Sequence, residues 1–155
     1  MPAYTLAPTD TVIAPDGTIL YRIQYADGTR GGYLQSTANL DPTSDARVLG
    51  DAQVYGNAQV LGDAQVLGDA QVSGNAWVSK PQHCLTVGPL GSRAATLTVC
   101  RDSTLSLSYA TGCFFGSREA FLAAVEATHG DSPIGNAYAA AVMLADHVVP
   151  PYTQE

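Results

Sequence analysis

Basic side chains are the scarcest charged class in this 155-residue chain: seven Lys and Arg stand against fourteen Asp and Glu, for a net charge of −7. The seven, Arg22, Arg30, Arg47, Lys80, Arg93, Arg101 and Arg118, are scattered singly. Phosphate backbones are gripped by clustered cations, so direct nucleic-acid binding is not expected. Long apolar runs are missing too, and none approaches the ~18 residues of a membrane span. The opening MPAYTLAPTD has neither a basic start nor an apolar centre, so it does not read as a signal peptide. Cysteine is sparse and odd in number, with Cys84, Cys100 and Cys113 showing no CxxC spacing. Secreted disulfide frameworks use even sets, so a reducing cytoplasm is the expected compartment.

Glycine (15) and proline (9) are plentiful, which favours turns and short strands. Glycine spacing is regular between Asp45 and Lys80, where the chain reads DARVLG, DAQVYG, NAQVLG, DAQVLG, DAQVSG, NAWVSK. Val48, Val54, Val60, Val66, Val72 and Val78 mark one position of this hexad, and Ala46, Ala52, Ala58, Ala64, Ala70 and Ala76 another. A β-branched valine suits a short strand facing a narrow interior, and an alanine two places earlier avoids the facing wall. Gly followed by Asp or Asn supplies a tight corner. A period of six is neither 3.6 nor a heptad, so a helix does not fit. The expected fold class is mainly β: a short parallel β-helix of about two coils, left-handed like other hexapeptide helices, with like side chains stacked about 4.8 Å apart. Two coils need capped ends or partners. Leu49, Tyr55, Leu61 and Leu67 are bulky and apolar where a solvated wall should be polar, so they are the expected contacts of a homo-oligomer, with a trimer the first choice.

Residues 1–40 form an expected N-terminal cap around a hairpin over 18–35, with TILYRIQY alternating and Asp27–Gly28 as the turn. In that alternation Ile19, Tyr21, Ile23 and Tyr25 share one face, opposite Leu20, Arg22 and Gln24. Residues 41–80 hold the repeat, 81–149 a small α+β unit, and 150–155 a fraying tail. Within the α+β unit, LTVGPL, ATLTVCR and TLSLSYAT read as strands and residues 112–116 as a turn. Ser117 caps a helix that Gly130 stops, and a second helix spans about 137–147.

Several of these stretches carry a resemblance. LYRI…GGYL, the DA-x-V-x-G hexads, GPLGSR at 88–93, Leu97–Thr98, GCFFG at 112–116, Phe121, THGD at 128–131 and Tyr138 are similar to a set of small hexapeptide-repeat proteins of bacteriophages and prophages. The resemblance covers roughly residues 20–148 and implies a phage accessory protein made in the host cytoplasm. It implies no reaction.

The chemistry-bearing residues are few. Hexapeptide repeats are also similar to those of acyltransferases, where a histidine at a subunit boundary takes a proton; here the hexads contain none, and His83 lies just beyond them. His83, Cys84, Cys113 and His129 lack the close ligand pairs of a zinc site, so no metal is expected. Cys113 and His129 are the right types for a nucleophile and base, but the local sequence does not bring them together. The stronger cluster is Gly91, Ser92 and Arg93, with Arg118 at a helix start and His129, which together suit a small anion. The combined expectation is a non-enzymatic oligomer without a cofactor, acting as a counter-defence factor. It would sequester a small nucleotide immune signal or block a host defence protein. A virion structural or assembly protein and an acyltransferase are the alternatives.

Overall fold

The computed structural model describes residues 3–91, 94–103, 106–111 and 114–149. Three strands open the chain: β1 (Tyr4–Ile13), β2 (Ile19–Tyr25) and β3 (Arg30–Leu34), each antiparallel to the next. The six hexads then supply six two-residue strands: β4 (Arg47–Val48), β5 (Gln53–Val54), β6 (Gln59–Val60), β7 (Gln65–Val66), β8 (Gln71–Val72) and β9 (Trp77–Val78). Each pairs in parallel with the strand three hexads on: β4 with β7, β5 with β8, β6 with β9.

The expected single parallel β-helix, left-handed or otherwise, is corrected here. The molecule is mainly β but its strands fall into several separate sheets: β1-β2-β3-β5-β8, then β4-β7 and β6-β9, and a fourth in the C-terminal part. The physical reason is the brevity of the repeat. Two residues per strand and two layers per side give each side its own small ladder, and one of these merges with the antiparallel N-terminal strands. None of the sheets closes or winds on as a solenoid.

The hexad interior is nevertheless a packed core. All six valines and all six alanines are buried, together with Ile23, Tyr25, Leu34, Leu40 and Cys100. Both ends of the stack are covered by the chain itself, which meets the physical need for caps. At the first layer, the Tyr33 N–H donates to the Ala52 carbonyl (2.8 Å) and the Asp41 N–H to the Val60 carbonyl (3.0 Å). Buried Asn39 donates from Nδ2 to the Ala58 carbonyl (2.9 Å), and the Tyr25 hydroxyl accepts from the Val48 N–H (2.8 Å). At the second layer, the Gln71 N–H donates to Thr98 Oγ1 (2.9 Å) and the Ser103 N–H to the Asn75 carbonyl (2.9 Å).

The β2 face assignment also needs correction. Ile19, grouped with Ile23 and Tyr25, is exposed, whereas Leu20 and Arg22, grouped with exposed Gln24, are buried. A register shift between Arg22 and Gln24 turns the strand, so Leu20 packs with Ala14, Tyr33 and Tyr55 while Ile23 and Tyr25 enter the hexad core. Arg22 is held there through its terminal nitrogens by the Gly31 carbonyl (2.9 Å) and the Tyr33 hydroxyl, and lies over the face of the Tyr33 ring.

The C-terminal sheet runs β10 (Cys84–Leu90), β11 (Ala95–Arg101), β12 (Leu107–Thr111) and β13 (Phe114–Ser117), all antiparallel in sequence order. Two helices follow, α1 (Arg118–His129) and α2 (Pro133–Val148). Phe121, Ala141, Val142 and Ala145 pack on Leu97, Val99 and Tyr109 as a second core. Part of the expected 112–116 turn is thus strand, and Gly112 and Cys113 lie outside the described residues. The second helix begins earlier than expected because Ser132 accepts from the Gly135 N–H (3.1 Å), with Pro133 in the first turn, where a missing N–H costs nothing.

Candidate functional site

Of the residues expected to hold an anion, Arg118 and His129 do not converge. Arg118 and His129 begin and end the same 12-residue helix α1, on the order of 16 Å apart at 1.5 Å per residue. Arg118 is already engaged, its Nε and Nη2 donating to Asp146 Oδ1 (3.0 Å) and Oδ2 (2.7 Å). That bond is the main reason its pKa is raised above the ordinary arginine value. The hollow beside it, about 350 Å³, is also lined by Glu119, which disfavours an anionic guest. His129 stacks on Tyr138 with ring centroids 5.8 Å apart, and the Tyr138 hydroxyl fills the space that a side chain at Gly91 would need. Gly91 and His129 therefore meet around Tyr138, away from Arg118. Ser92 and Arg93 lie outside the described residues.

Of the residues weighed for catalysis, His83 takes a structural role. His83 is buried, and its Nδ1 accepts from the Ser79 N–H (3.1 Å). Cys113 lies outside the described residues. Among the described residues, no group of three or more His, Cys, Asp or Glu side chains is arranged to hold a metal ion.

The expected subunit contacts divide as well. Tyr55 is buried at 6% exposure by this chain's own Ala14, Leu20 and Tyr33. Leu49 is half-buried against the hexad core, and Leu61 is half-buried, which leaves Leu67 exposed.

A cleft of about 360 Å³ opens instead between the hexads, the β1–β2 turn and the β12–β13 hairpin. Tyr55, Asn57, Ser73 and Asn75 come from the hexads, Asp16 from the turn and Phe115 from β13. Burial is the largest influence on the Tyr55 hydroxyl, raising it above the ordinary phenol pKa against the lowering effect of the neighbouring Ser73 side chain. Asp16 accepts from the Thr18 N–H (3.0 Å), and its bonds to Thr18 hold its carboxyl below the usual range. The Phe115 ring lies over the corner at Gly74, where any Cβ would collide with it, yet remains 49% exposed.

The four hexad residues were visible in the sequence as irregularities. Where the third outward position is Leu49, Leu61 and Leu67, the cleft has Tyr55 and Ser73, which lie in neighbouring layers of one side. Where the corner is Asp51, Asp63 and Asp69, the cleft has Asn57 and Asn75. Each substitution replaces an apolar or charged group by a neutral hydrogen-bonding one. Other irregularities have other tasks: Arg47 donates to Asp27 (2.7 Å), and Ser79 meets His83.

Compared with known proteins, the chain matches no family model, no curated protein and no solved structure. Among the described residues, no helix is long and apolar enough to cross a membrane.

Proposed function

We propose that the protein is a non-catalytic binder whose cleft between the hexads and the β12–β13 hairpin holds an uncharged, hydroxyl-rich ligand of the sugar class. The observation that carries this reading is the convergence of Tyr55, Asn57, Ser73 and Asn75, four departures from the repeat, on a single hollow. Amide and hydroxyl groups both donate and accept, which matches a ligand bearing many hydroxyls. The Phe115 ring offers an apolar face for the C–H side of a sugar ring. The volume is that of a small-molecule site. Asp16 is the charged residue in the lining, so an anionic nucleotide would meet a carboxylate there.

This narrows the expectation of a phage counter-defence factor. The nucleotide-sequestering form loses support because Arg118 and His129 lie at opposite ends of α1, and the acyltransferase alternative loses support because His83 is buried and bonded. Blocking of a host protein stays as the second reading. It is favoured by Ile13 (71% exposed) and Ile19, which flank the turn bordering the cleft. Self-association through the hexads would use Leu67 rather than Tyr55.

Thermal unfolding of the purified chain tests the reading against neutral oligosaccharides, cyclic and ADP-ribose-type nucleotides and acetyl-coenzyme A. A ligand present at about 100 times its Kd adds roughly 2.7 kcal/mol. A neutral sugar should raise the midpoint in the wild type and fail to do so in Asn75→Ala. A shift with nucleotides alone would return the sequestration reading, and one with acetyl-coenzyme A alone the enzyme reading. No shift with any of them sinks the small-ligand reading and leaves the protein-blocking one.

A further inference from the structure

The odd cysteine count conceals a pair. Cys84, the first residue of β10, lies directly opposite Cys100 of β11 in the antiparallel register. Directly opposed residues in such a ladder have Cα atoms roughly 4.5–5.5 Å apart, within the range that a disulfide spans. The side chains also point the same way: the two Sγ atoms are 2.7 Å apart, inside ordinary non-bonded contact and beyond the roughly 2.05 Å of an S–S bond. Cys100 is buried among the hexad valines and alanines, and Cys84 packs against that cluster from its half-exposed edge.

We propose that Cys84 and Cys100 are a dithiol–disulfide site, at which oxidation by a small-molecule disulfide clips β10 to β11 where the C-terminal sheet covers the second hexad layer. The order of events follows from exposure. Cys84, which solvent reaches, attacks the small disulfide as a thiolate, giving a mixed disulfide and one released thiol. Cys100 then attacks the Cys84 sulfur and releases the second thiol. One S–S bond is broken and one formed, and two electrons pass from the protein sulfurs to the small disulfide. The two protein thiol protons end on the two released thiols. Cys100 is poorly suited to the first step, since its hydrogen bond with Cys84 and its burial both keep it protonated. Linking the strands also braces the cap itself, because β11 carries Thr98, which accepts from the Gln71 N–H of the second hexad layer.

The full chain, incubated with oxidised glutathione or with dithiothreitol, provides the test by thiol counting and by peptide mass mapping without reduction. Cleavage after Arg93 separates the two cysteines in sequence, so a linked peptide pair is diagnostic. The expected result is loss of two thiols, a Cys84–Cys100 linked pair, and a higher unfolding midpoint in the oxidised sample. Cys113→Ser should behave identically, and Cys100→Ser should stop at Cys84 glutathionylation. Alkylation of both Cys84 and Cys100 after oxidation, or a dominant link to Cys113, would overturn the proposal, as would an oxidised midpoint below the reduced one. The wild-type and Cys113→Ser measurements decide it even if Cys100→Ser fails to fold.

Discussion

Two buried tyrosine hydroxyls in this chain have opposite consequences. Tyr25 presents its hydroxyl to the Val48 backbone, accepting from the N–H at 2.8 Å, where the N-terminal strands cover the first hexad. Removing it leaves a buried N–H without its acceptor, which costs about 1–3 kcal/mol. The Tyr109 hydroxyl is buried with no hydrogen-bond partner among the described residues. Tyr109→Phe should therefore be neutral or slightly stabilising, while Tyr25→Phe lowers stability in urea unfolding. Equal costs for the two would mean that one of these hydrogen-bonding environments is wrongly assigned. Neither role is legible from sequence, since both tyrosines sit in ordinary alternating strands. What separates them is which backbone groups the opposite element brings near.

Helices and hexads were the most legible elements, because their signals are local. Ser117 and Gly130 bound α1 by capping chemistry that needs only neighbouring residues, and the Ser117 side chain does accept from the Ala120 N–H. Strand β1 escaped notice because Pro8 and a register shift between Leu6 and Thr11 break its alternation. The unbroken alternation expected of β2 fails between Arg22 and Gln24 for the same reason, a bulge that no composition rule announces. Within the anion cluster, Arg118 and His129 are parted because spacing along α1 puts them at opposite ends, a separation the sequence already implied. The cleft residues were legible as departures from the hexad, but their meaning depends on which three-hexad neighbours stack. The corners provide an element-level prediction. Gly62 and Gly68 share a left-handed φ of +63°, yet a Cβ at Gly62 would press into the Ser79 carbonyl, whereas one at Gly68 meets nothing within 4 Å. Gly68→Ala should cost about 1–2 kcal/mol, the backbone strain alone. Gly62→Ala should cost clearly more, and equal midpoints for the two variants would refute the stacking of one hexad layer over the next.

At the scale of the molecule, pH should act from the alkaline side through Tyr4 and Tyr109. Burial is the main cause that pushes each phenol up to about 12 from the ordinary 10.0. The folded state thus favours the protonated form. The associated stability is complete below pH 10 and is lost as pH climbs from 10 towards 12. The unfolding midpoint should fall across that window, with the drop smaller in Tyr4→Phe. A midpoint flat to pH 12 would show that these phenols titrate as in the unfolded chain. The three-hexad pairing interval has a further consequence for how such a chain can change length. Both caps are built for particular sides of the stack: β3 meets β5, and Thr98 and Ser103 meet the β8 side and its corner. Adding one hexad would present the wrong side to the C-terminal sheet and part Phe115 from its corner at Gly74. Only a gain or loss of three hexads at once returns every cap and the cleft to register, so viable length variants should come in steps of one whole layer.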